Sequence, residues 1–81
     1  MNIIKNKYYT IYEIAKAGLL ARRNYNDQIE PYSYHGVRYI VLTDLGDKNE
    51  LMTLERDGNY YILGDNLRAF IRNHKEKFIK I

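Results

Sequence analysis

The chain contains no cysteine. Disulfides therefore cannot add stability, and zinc sites built on thiolates are excluded. The absence suits a reducing compartment. No apolar run approaches the roughly 18 residues of a membrane span, and Met1–Ile4 is too short for the apolar region of a signal peptide. The expectation is a soluble cytoplasmic protein that makes no membrane contact. With one proline and no low-complexity tract, the sequence offers no linker. Residues 1–81 read as a single compact domain, and a chain of this length buries only about 60–65% of its unfolded surface.

Groups that do chemistry are scarce as well. There is one serine, Ser33, and two histidines, His35 and His74, separated by much of the chain. No His-based metal spacing occurs. Gly36, Gly46, Gly58 and Gly64 stand alone in expected turns rather than in a phosphate-binding loop. Asp44, Asp47 and Glu50 surround Gly46 but lack the alternating spacing of a calcium loop. The chain is expected not to be an enzyme and to use no cofactor, metal or small-molecule substrate.

What the chain does have is sorted charge. Residues 1–23 carry five cations against Glu13, and residues 66–81 carry five against Glu76. The segment between them is acidic, so the net charge of +3 hides two basic ends around an acidic centre. A fold that joined the ends would have one basic face and one acidic rim, which would bias its choice of partner. Tyrosine is the other abundance: nine Tyr against two Phe and no Trp. Each Tyr brings a large contact area with a polar tip.

Local patterns set the expected elements. Residues 2–5 read as a short strand. Thr10 with Glu13 three residues on matches a capping box, and Tyr9 with Ile14 matches a hydrophobic staple. The helix expected there runs to about Arg23, with Arg22 and Arg23 at the favourable end of its dipole; Gly18 marks a close approach or a local end. Asn24–Ser33 reads as loop. Val37–Thr43, rich in β-branched and aromatic residues, reads as a buried central strand. Glu50–Glu55 and Asn59–Leu63 flank Asp57-Gly58, a strong hairpin signal. The implied register opposes Leu54 to Tyr61 and Glu55 to Tyr60, with Met52, Leu54, Tyr61 and Leu63 facing the core. Leu67, Phe70, Ile71, His74 and Phe78 follow a helical stripe. Ile79 and Ile81 are expected to pair with the N-terminal strand at a sheet edge.

The expected fold is α+β: an N-terminal helix, an antiparallel sheet of three or four strands and a C-terminal helix, both helices on one sheet face. Tyr9–Lys16 resembles the first helix of a helix-turn-helix. Gly58–Leu63 followed by Asp65–Phe70 resembles the wing and following helix of small excisionase-like winged-helix proteins. These fragments cover about a quarter of the chain. The recognition helix that the resemblance implies between them has no counterpart here, because Asn24–Tyr34 is polar and Val37–Thr43 reads as a strand.

Two functions stay open. In the first, the basic face engages nucleic acid, or a complex bound to it, through Arg22, Arg23, Arg68, Arg72 and Lys75. In the second, the protein is a regulator or inhibitor that docks on a protein. Its surface would be a Tyr-rich sheet face containing Tyr39 and Tyr60, or an acidic rim containing Asp44, Asp47 and Glu50. An apolar sheet face would also favour self-association into a homo-oligomer.

Overall fold

The computed structural model describes residues 2–43, 51 and 53–79. Eight elements are described among these residues, in order: β1 (Tyr8–Thr10), α1 (Ile11–Lys16), β2 (Ala21–Arg23), β3 (Ile29–Pro31), α2 (Tyr34–Leu42), β4 (Leu54–Arg56), β5 (Asn59–Leu63) and α3 (Gly64–Asn73). The class is α+β with antiparallel sheets. β1, β5 and β4 form one sheet in that order, and β2 and β3 form a second.

α1 starts as its sequence dictates. The Thr10 side chain accepts from the Glu13 amide at 3.1 Å, and Glu13 Oε1 accepts from the Thr10 amide at 3.0 Å. The helix stops after Lys16 rather than at Arg23. Gly18 adopts φ +65°, its amide donates to Ala15 and the Leu19 amide donates to Ile14. This is a Schellman ending, in which a left-handed residue lets the chain close the last carbonyls. Arg22 and Arg23 consequently lie on β2, not on a helix end.

The polar stretch expected to be loop contains the second sheet. Asn24 organises its turn: the side-chain carbonyl accepts from the amides of Asn26 and Gln28 at 2.9 and 3.0 Å. Asp27 takes the left-handed backbone, φ 63°, that this turn needs. At the base of the hairpin the Tyr32 amide donates to Leu20 at 2.9 Å.

The largest correction falls on Val37–Thr43, where the expected strand is the helix α2. Ser33 caps it by accepting from the Gly36 amide at 3.2 Å. Val37, Ile40 and Val41 are buried at helical spacing, and α2 packs against α1.

The hairpin register is as expected, with Leu54 opposite Tyr61 and Glu55 opposite Tyr60. Asp57 and Gly58 both take positive φ, as a two-residue hairpin turn demands. The face is inverted. Ile62 is fully buried, pairs in register with Tyr9 and joins the core, with Tyr60 packed beside it. Leu54 is 49% exposed, and Tyr8, also exposed, shares the outer face with half-buried Tyr61 and Leu63. Met52 lies outside the described residues.

α3 contributes Leu67, Phe70 and Ile71 to the same core as Ile11 and Ile14 of α1. The stripe outlives the helix. Past Asn73 the chain turns, and the Phe78 ring returns to lie 5.4 Å from Phe70 and 5.7 Å from Tyr32. The Ile79 amide donates to Ala21 at 2.8 Å, so the tail meets β2 rather than the N-terminal segment; residues 2–5 are not a strand. Lys80 and Ile81 lie outside the described residues.

Candidate nucleic-acid interface

α2 presents a helical face made of Tyr34, His35, Arg38, Tyr39 and Leu42. Its sequence contains no acidic residue. Burial of Val37, Ile40 and Val41 against α1 fixes which side is turned outward. Tyr39 is 67% exposed, and Arg38 and His35 are exposed beside it. Among the described residues Arg38 has no ion-pair partner.

Arg38 links this face to the β4–β5 hairpin through its charge at Tyr60. The Tyr60 hydroxyl donates to Glu55, its register partner, and that bond, followed by the carboxylate's charge, pushes the phenol above its usual pKa; Arg38 pulls the other way. The Arg38 charge therefore acts on β5 from α2. Arg56 and Asn59 stand exposed on either side of the Asp57-Gly58 turn.

Arg22 and Arg23, expected to bind nucleic acid, sit on β2 with acidic neighbours. Arg22 lies 4.0 Å from Glu30 and its guanidinium stands 5.4 Å from the Tyr32 ring centroid. Arg23 donates to the Asp27 carboxylate at 3.3 Å and to the Asp27 carbonyl at 3.1 Å, which holds the hairpin turn closed. Both pairs are solvent-exposed and worth little, of order 0–1 kcal/mol.

The other three expected contacts form a different surface. Arg68 and Arg72 lie one turn apart on α3, and Lys75 follows the helix end. They line a groove of about 820 Å³ together with Asn2, Ile3, Ile71, Phe78 and Ile79. The two basic ends of the sequence do meet, because residues from both line this groove. It shares no residue with α2 or the β4–β5 hairpin.

Tyr39 and Tyr60 do not share a sheet face: Tyr39 is on a helix, and Tyr60 leans on the core. Asp44, Asp47 and Glu50 lie outside the described residues. Sequence reasoning did not single out Tyr34, Arg38 and Arg56. The signal for the helix was Ser33 followed by Val37, Ile40 and Val41, a cap and an apolar stripe hidden inside a run that also suits a strand. Among the described residues there is no group of three or more His, Asp or Glu able to hold a metal, and no helix long and apolar enough to cross a membrane.

No protein family matches this chain, and neither a curated protein nor a solved structure does.

Proposed function

We propose that this is a small, non-enzymatic nucleic-acid-binding protein that lays α2 in the major groove of a duplex, with the β4–β5 hairpin at its flank. One observation carries the reading: α2 is a capped helix, packed on α1 through Val37, Ile40 and Val41, whose outward face holds Arg38, His35 and two tyrosines and no acid. An α-helix fits the major groove, and a first helix behind it braces the one that reads bases. α2 is the next described helix after α1, the one that the helix-turn-helix resemblance concerns. The connection departs from that motif, since the β2–β3 hairpin replaces a short turn.

Arg38 is the group suited to a base edge, and the tyrosine hydroxyls and Arg56 are suited to phosphates. The test is fluorescence anisotropy with a labelled duplex at low and at physiological salt. Binding is expected to weaken with salt, because phosphate contacts release counterions. Arg38→Ala should weaken it by about tenfold, the order of a single lost base contact. Salt-insensitive binding, or full affinity in Arg38→Ala, would count against the reading.

A further inference from the structure

We propose that the groove beside α3 is a docking site for an acidic amphipathic helix of a protein partner. This groove shares no residue with the α2 face. Arg68, Arg72 and Lys75 run along one wall, and none has an ion-pair partner among the described residues. Half-buried Ile3 and Ile79 give the groove its apolar strip, above the core residues Ile71 and Phe78. The surface thus offers a row of cations beside an apolar strip. Arg68 and Arg72 are about 6 Å apart along the helix axis, at 1.5 Å per residue. Carboxylates four residues apart on a docked helix repeat that spacing, and its apolar residues then meet the strip.

Other occupants fit less of the surface. A single carboxylate or phosphate would satisfy one cation of three and leave Ile3 and Ile79 wet. A nucleic acid would find no free ring on which to stack a base. Phe78 is 3% exposed and already packed against Phe70, His74 and Tyr32. A bilayer surface would not fill a recess of about 820 Å³.

The experiment titrates the full chain into labelled synthetic helical peptides and reads anisotropy. The parent peptide carries Glu at four-residue spacing beside a Leu/Phe face. One control replaces each Glu by Gln, and another replaces the apolar face by Ser. The parent is expected to bind, with both controls about tenfold weaker, because charge and apolar burial act together. Arg68→Glu combined with Arg72→Glu should abolish binding while circular dichroism and the urea midpoint stay in place; Tyr25→Ala, at the β2–β3 tip, should leave it intact. If the double variant is unfolded, Lys75→Glu alone must weaken the parent peptide. Equal binding of parent and Gln peptide overturns the proposal. So does retained affinity in a folded double variant, or displacement of the peptide by duplex DNA or by anionic vesicles.

Discussion

The amide of Asp65 donates to the carbonyl of Lys5 at 2.9 Å, and the neighbouring Gly64 amide donates to Lys7 at 2.7 Å. α3 has no side-chain cap at its start. The N-terminal segment supplies one instead, with backbone carbonyls meeting amides that the helix leaves unpaired. The Ile4 amide in turn donates to the Tyr9 hydroxyl at 2.8 Å, tying the segment to β1. This strap ties the N-terminal segment to the start of α3, and Asn2 and Ile3 just before it line the groove beside α3.

The strap depends on Gly64 having no side chain, since a Cβ there would run into the Ile4 carbonyl. Gly64→Ala is therefore expected to lose about 1–3 kcal/mol, as overpacking commonly does. Gly58 differs: nothing surrounds it, although its φ is +80°. Gly58→Asn should cost much less, because Asn tolerates a left-handed turn backbone. Urea midpoints for the two variants check both expectations.

The capping box gives a pH dependence with a definite sign. Glu13 titrates below its ordinary value of 4.5, first because it accepts the Thr10 backbone amide, with the Thr10 hydroxyl and Lys7 adding to this against the penalty of burial. A folded-state pKa below the unfolded one adds stability above the unfolded value and loses it as pH falls through the folded one. With the Glu13 side chain 43% exposed, solvent screening keeps this to under about 1 kcal/mol. Glu13→Gln should remove that share of the acid-side loss, read from urea midpoints at neutral pH and below 4.5. Thr10→Ala should cost about 1 kcal/mol at neutral pH.

Ser33 tests whether α2 is a helix. As its cap, Ser33→Ala should cost about 1 kcal/mol while Ser33→Asp stays close to wild type. A strand beginning near Val37 would give neither result. Thermal melts followed at the helical circular-dichroism band make the comparison.

Much of the fold was legible where local chemistry is decisive. The Thr10–Glu13 box and the Asp57-Gly58 turn each specify their own geometry, and the register of β4 against β5 follows from the turn alone. The errors arose where two physical readings fit the same residues. Val37, Ile40 and Val41 mark one helix face, yet Tyr39 and Thr43 around them suit a strand equally well, and only packing on α1 decides. The sheet faces were exchanged because both carry apolar residues; pairing of Tyr9 with Ile62, a contact between distant segments, selects the buried one. β2 and β3 are short and polar, and their turn depends on one Asn24 side chain rather than on a Gly or Pro signal. For the same reasons the candidate interface was only partly visible. Reading α2 as a strand placed Tyr39 on a sheet and left Arg38 without a role.

The central claim is that α2 and the β4–β5 hairpin form the nucleic-acid surface. An amide chemical-shift titration of the isotope-labelled chain with duplex DNA tests it most directly. The largest shifts are expected at Tyr34, His35, Arg38 and Tyr39, with smaller ones at Arg56 and Asn59. Shifts confined to Arg68, Arg72 and Lys75, with α2 unmoved, would contradict it.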